Sequence, residues 1–234
     1  MRIGRPNLGI YLRAIPLFVV HPSIALAPLL AACAAVALNL LGEWLTDPIG
    51  GVGSGLYAFL GSIAVLTAFG VAIVQARDVL RGYRGTFEDA WSEARRKLGG
   101  IAIAAFGFAF FVGAVANLAG GILASLSPYF WIFAPATVLF VTYLCIYMMP
   151  AASIGGNPGV ASLQRSYRLA LADPFPAMVL TAAWWLATSF VPHRLGVLYA
   201  LLPDVAAQFA VAFVSAILLA YLAFAFAAQY EDVA

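Results

Sequence analysis

The chain has 234 residues, of which 64% are hydrophobic and only 9% charged, and its formal net charge is +2. Soluble domains are about 25% charged and 45–50% apolar, and a soluble fold of this length could not hide so much apolar surface behind a polar shell. That composition excludes a water-soluble globular protein and points to lipid as the solvent.

A helix needs about 20 mostly apolar residues to cross the hydrocarbon core. Six stretches meet that requirement with no charged side chain inside them: Pro22–Leu41, Leu56–Ala76, Ile101–Leu118, Tyr129–Pro150, Phe175–Val191 and Val205–Ala228. The first follows a basic leader with Arg2, Arg5 and Arg13, and Leu30-Ala31-Ala32-Cys33 has the form of a lipoprotein cleavage box. His21-Pro22 interrupts the supposed signal core, however, and the apolar run continues to Leu41, so the segment reads as a membrane helix rather than a signal peptide. Cys33 and Cys145 both fall in apolar runs and read as free, buried packing residues; two cysteines offer neither a disulfide framework nor a zinc spacing.

Orientation follows from lysine and arginine. The leader, the second loop (Arg77, Arg81, Arg84, Arg95, Arg96, Lys97) and the fourth loop (Arg165, Arg168) hold eleven of the twelve basic residues, and Arg194 alone lies on the opposite side. This places both termini and those loops in the cytoplasm.

The cytoplasmic segments share a plan. Asn7, Thr86 and Asn157 are suited to cap a short amphipathic helix, Thr86 and Asp89 have capping-box spacing, and Pro158 suits a first helical position. The apolar faces run Leu8, Tyr11, Leu12, Ile15; Phe87, Ala90, Ala94, Leu98; and Val160, Leu163, Tyr167, Leu171. A break follows each stub, at His21-Pro22, Gly99-Gly100 and Asp173-Pro174. A membrane hairpin comes next, turning at Gly50–Gly55, Gly120–Pro128 and Pro192–Pro203. The expected fold class is therefore an all-α polytopic bundle in one domain, residues 1–234. It divides into approximate repeats 1–84, 85–155 and 156–234, each an interfacial helix leading into a hairpin.

The segments Gly85-Thr-Phe-Glu-Asp-Ala-Trp-Ser-Glu-Ala-Arg-Arg-Lys-Leu98 and Gly159-Val-Ala-Ser-Leu-Gln-Arg-Ser-Tyr-Arg-Leu-Ala-Leu171 resemble those of six-helix prokaryotic membrane proteins of the YciC-like kind. They also resemble the membrane domain joined to some glycerophosphoryl diester phosphodiesterases. In those proteins a G-x-x-x-A-x-x-x-S-x-x-L stub precedes the fifth helix; here Leu163 stands where Ala is usual, followed by Ser166 and Leu169. The resemblance implies a six-helix fold in a prokaryotic cytoplasmic membrane and transfers no catalytic residue. With the chain ending at Ala234, no phosphodiesterase domain is expected after the bundle, and lipid hydrolysis does not carry over.

Candidate sites are few. Charges inside spans normally mark proton relays or ion paths, and these spans hold none. Polar residues within them include Asn39, Gln75, Asn117, Thr137, Thr142, Tyr143 and Gln208; most suit interhelical hydrogen bonds, with Asn39, Asn117 and Gln208 as candidates to line a cavity. His21 and His193 lie at opposite faces and cannot share a metal. Ile49-Gly-Gly-Val-Gly-Ser-Gly55 lacks the Lys-Ser/Thr ending of a phosphate loop. No nucleophile, acid–base or metal constellation emerges, so no enzyme activity, cofactor or nucleic-acid partner is expected. The basic cluster Arg81, Arg84, Arg95, Arg96, Lys97, Arg165 and Arg168 serves as a topology signal and as a candidate contact for anionic lipid headgroups or a partner subunit. The leading expectation is a non-enzymatic lipid-interacting scaffold or accessory subunit. The alternative is a transporter or channel for a small or amphipathic solute with a path between the hairpins.

Overall fold

A computed structural model describes residues 8–46, 52–118 and 130–233. Within these, nothing is described of the side chains at 46, 52–54, 117 and 130–133. Arg2, Arg5, Asn7, Tyr129, the turn at Gly120–Pro128 and, of the turn at Gly50–Gly55, Gly50 and Gly51 lie outside the described residues. All regular structure among the described residues is helical, and six helices are long and apolar enough to cross a membrane. This is a multi-pass membrane protein.

Helix α1 (Leu8–Val20) leads through a 3₁₀ turn at Pro22–Ala25 into α2 (Leu26–Thr46). Then follow α3 (Val52–Leu80), α4 (Phe87–Leu118), α5 (Phe130–Cys145) and the short α6 (Met148–Ser153). Next, α7 (Val160–Ala172) precedes α8 (Pro174–Trp185), which continues through a π turn at Leu186–Phe190 into α9 (Val191–Arg194) and, after a 3₁₀ turn, α10 (Leu198–Leu201). The last helix, α11 (Asp204–Val233), packs on α1, α2, α3 and α8 and so closes the bundle against the first hairpin. Close crossings are made by small residues. A Cβ on Gly61 would lie 3.0 Å from that of Ala35, and one on Gly70 would lie 2.6 Å from Ile101 Cγ2, so glycine sets the α2–α3 and α3–α4 approaches. The lipid-facing sides carry Ile103, Phe110, Phe140 and Phe213, all more than half exposed.

The core is asymmetric along the membrane normal. Val71–Arg77 of α3, Ile146–Ser153 and Leu222–Ala227 of α11 are buried without interruption. All lie toward the end that carries the basic residues, here the basic end. At the far end the helices separate around cavities.

Several expected features hold and others are corrected. Thr86 caps α4: its hydroxyl oxygen accepts the Asp89 backbone N–H at 3.2 Å and donates to Asp89 Oδ2 at 2.6 Å. The breaks at His21-Pro22 and Asp173-Pro174 are present, the latter with Asp173 extended (φ −135°, ψ 78°), as a residue before proline prefers. The expected break at Gly99-Gly100 is absent, because α4 runs unbroken from Phe87 to Leu118. Gly100 instead permits a close approach, since a Cβ there would sit 3.1 Å from Pro158 Cβ. Asn157 does not cap α7. Its Nδ2 donates to the Gly155 carbonyl at 3.2 Å, and the helix starts after Gly159, whose φ of +55° suits glycine. The fifth span does not end at Val191, since the helical path continues to Leu201. Cys33 is exposed on the lipid side of α2 and only Cys145 is buried.

The stubs at α1 and α7 turn most of their large apolar residues away from the bundle. Leu8, Leu12, Ile15, Val160 and Leu171 are exposed, and the buried positions are Ile10 and Ala14, Ala90 and Ala94, and Ser162, Ser166, Leu169 and Ala170. Mostly short side chains let each stub lie close to the bundle, and apart from the buried Ile10 and Leu169 the large apolar residues of α1 and α7 are at least partly exposed, as in interfacial helices.

One break went unread in the sequence. The fourth span stops at Cys145 and restarts at Met148, because Pro150 has no N–H and its ring opposes the carbonyl four residues earlier. Ser166 of α7 fills the gap: its Oγ accepts the Tyr147 N–H at 3.0 Å and donates to the Leu144 carbonyl at 2.8 Å.

Candidate functional site

The seven basic candidates do not form one free patch. Arg77, read from the sequence only as an orientation signal, is the anchor of the basic end. Nearly buried, it makes paired hydrogen bonds to Glu93 (Nη1–Oε1 3.1 Å, Nη2–Oε2 2.6 Å) and contacts Asp78 Oδ1 at 2.7 Å. Lys97 joins this network, donating to Glu93 Oε1 at 2.8 Å and to the Ser153 carbonyl at 3.1 Å. The cluster ties α3, α4 and α6 together. Arg81 pairs with Glu231 of α11 at 2.6 Å. Arg165 is half-buried and has an interaction of its own. Exposed positive charge is left at Arg84, Arg95, Arg96 and Arg168.

Gln75 is structural: fully buried, it donates to Ser23 Oγ at 2.9 Å and to the Gly85 carbonyl at 2.7 Å, fixing the α3–α4 loop under the first break. Thr142 bonds within its own helix, and Tyr143 donates to the Ala170 carbonyl at 2.6 Å. His21 and His193 stand at opposite ends of the bundle. Among the described residues no three His, Cys, Asp or Glu side chains gather as metal ligands.

The far end holds the feature that the sequence only hinted at. A cavity of about 580 Å³ opens between α2, α3, α10 and α11, and Asn39 and Gln208 both line it, with Glu43 and Tyr199 at its outer part. The α2 wall runs Ala32, Val36, Asn39, Glu43, one helical face about 16 Å long at 1.5 Å per residue. Since the first span is Pro22–Leu45, the cavity reaches from the far end to mid-span. A second cavity of about 450 Å³ shares Ala35, Asn39 and Ala58 with the first and extends between α3, α4 and α8, past Ser62 and Thr188. Asn39 thus stands in the wall common to both. Its Oδ1 is buried and has no hydrogen-bond partner, an arrangement that costs on the order of 1–3 kcal/mol. Of the three cavity candidates, Asn39 and Gln208 come together; the Asn117 side chain lies outside what is described.

The second cavity rests on aromatic rings. Phe108 and Trp184 line it, with Phe69 and Phe226 packed beneath at centroid distances of 5.3 Å (Phe69–Trp184), 5.1 Å (Phe69–Phe226) and 5.6 Å (Phe108–Trp184). These rings separate the open half from the dry basic half. The π turn begins at Leu186, two residues after Trp184, and Thr188 of that turn donates to the Trp184 carbonyl at 2.8 Å. Such single π turns within α-helices often accompany functional sites. The chain matches no protein-family profile, no curated protein and no solved structure.

Proposed function

We propose that this protein binds an amphipathic solute in the cavity pair at the far end and is of the transporter type, without catalytic activity. The observation that carries this reading is the unpartnered Oδ1 of Asn39 in the wall shared by the two cavities. Buried polar atoms are normally paired, and an orphan beside space invites a ligand donor. Ligand sites of about 300–1,000 Å³ with few placed polar groups are usual. The polar cavity, with Asn39, Gln208 and Tyr199, suits an uncharged or cationic head beside Glu43, and the mostly apolar second cavity suits its tail. The aromatic floor speaks for a binding site accessible from one side at a time and against an open channel.

By the positive-inside rule the basic end and both termini face the cytoplasm of a prokaryotic inner membrane, with the cavities facing out. Membership of the YciC-like group, expected from the segments 85–98 and 159–171, belongs to the same proposal. A second reading, lipid organisation or service as an accessory subunit, is favoured by the exposed Arg84, Arg95, Arg96 and Arg168 beside the exposed Tyr83 and Trp91.

The test is binding of a fluorescent monoacylglycerol to the full chain in lipid nanodiscs. Saturable binding is expected, weakened at least tenfold by Asn39→Leu with Gln208→Leu, the factor for about 1.4 kcal/mol. Non-saturable partitioning, or equal binding by the double variant, would overturn the proposal.

A further inference from the structure

A separate groove opens near the basic end, between α2, α3 and the first three turns of α4. It has a volume of about 550 Å³ and is lined by Leu30 and Ala31, by Ala68 and Val71, and by Trp91 and Leu98. Thr67 also lines it, but its hydroxyl is already donated to the Ile63 carbonyl at 2.7 Å. Apart from the Trp91 indole N–H the groove is apolar, and its natural filling is hydrocarbon. Phe87 stacks on Trp91, with ring centroids 6.3 Å apart and planes 14° apart, and forms its upper edge.

The rim is positive. Arg95 shares a helical face with Trp91 and Leu98, at intervals of four and three, and Arg84 lies in the loop three residues before Phe87. Both are exposed, and among the described residues neither is in an ion pair, unlike Arg77, Arg81 and Lys97. Arg96 projects about 100° away from Arg95. Of the nearby acids, Glu93 is paired with Arg77 and Lys97, while Glu88 and the Thr86-bonded Asp89 keep their charges and offset two of Arg84, Arg95 and Arg96, leaving the rim positive by one.

We propose that this groove is a binding site for one anionic phospholipid, its acyl chain against Ala31, Ala68 and Trp91 and its phosphate held by Arg84 and Arg95. The proposal rests on the lipid reading of the basic end and gives it a place; it is independent of the far-end cavities.

The test is native mass spectrometry of the full chain equilibrated with equal amounts of phosphatidylglycerol and phosphatidylethanolamine of the same chain length. Wild type retains phosphatidylglycerol preferentially. Arg84→Gln with Arg95→Gln lowers that retention by roughly 30-fold, the factor for two surface basic residues at about 1 kcal/mol each, and lowers that of phosphatidylethanolamine, whose ammonium offsets its phosphate, by much less. Ala68→Leu, which fills the groove, lowers retention of both. Arg194→Gln, a loss of positive charge at the far end, changes neither. A wild-type preference that survives the double arginine variant overturns this site while leaving the lipid reading standing. Equal retention of the two lipids by wild type overturns both, and unaltered retention by Ala68→Leu removes the acyl seat.

Discussion

Arg77 and Glu93 meet through two hydrogen bonds of 3.1 and 2.6 Å where α3 and α4 leave the membrane. Removing one member of a buried pair strands the other charge and costs about 3–5 kcal/mol. Here Asp78 also contacts Arg77, and the Glu93 side chain is 33% exposed, so Glu93→Gln should cost about 2 kcal/mol. Glu231→Gln, which breaks the more exposed Arg81 pair, should cost under about 1 kcal/mol. Denaturant unfolding in detergent micelles compares the two; equal losses would show that the Arg77 cluster is no anchor.

Ser166 offers a second measurement. Its hydroxyl serves both the Tyr147 N–H and the Leu144 carbonyl at the break before α6. Ser166→Ala leaves both backbone groups buried without a partner and should cost about 2–3 kcal/mol. Ser162→Ala removes only a 2.6 Å bond within the start of α7 and should cost about 1 kcal/mol. Thermal unfolding of the two variants separates the roles.

These two contacts mark where the sequence stops being readable. The six spans were legible because a run of about 20 apolar residues has one stable placement in a bilayer, and Thr86 with Asp89 was legible because a cap depends on neighbours in sequence. Asn157 misled because the start of α7 is set by the positive φ of Gly159. Leu12 and Leu171 marked an apolar face, but periodicity does not say whether lipid or protein covers it. Arg77 finds Glu93 only through the α3–α4 crossing that Gly70 permits. Asn39 and Gln208 stood out as polar residues in spans, but their common cavity depends on α11 returning to the first hairpin.

Asn39 should show opposite effects on stability and binding. Asn39→Leu replaces a buried amide oxygen that has no partner and should stabilise the empty protein by about 1–2 kcal/mol, while weakening solute binding. A melting temperature raised without ligand, together with a smaller ligand-induced shift, is the expected pair of results. Destabilisation of the ligand-free protein would mean that the amide serves the fold.

Asp173 sets a pH dependence. It is buried between α7 and α8, its Oδ1 has no partner, and burial holds its carboxyl above the ordinary aspartate range. Folding then favours the protonated acid. The stability contributed by that proton is fully present below the ordinary aspartate pKa, is lost as pH rises through the raised value, and stays lost at neutral pH. Asp173→Asn keeps the shape without the charge, so it should be more stable than wild type at pH 7, with the two converging as pH falls through that window. Melting curves from pH 7 downward test this. A variant less stable than wild type at pH 7 would mean that the carboxylate is held by a favourable charge contact, and the sign of the argument would reverse.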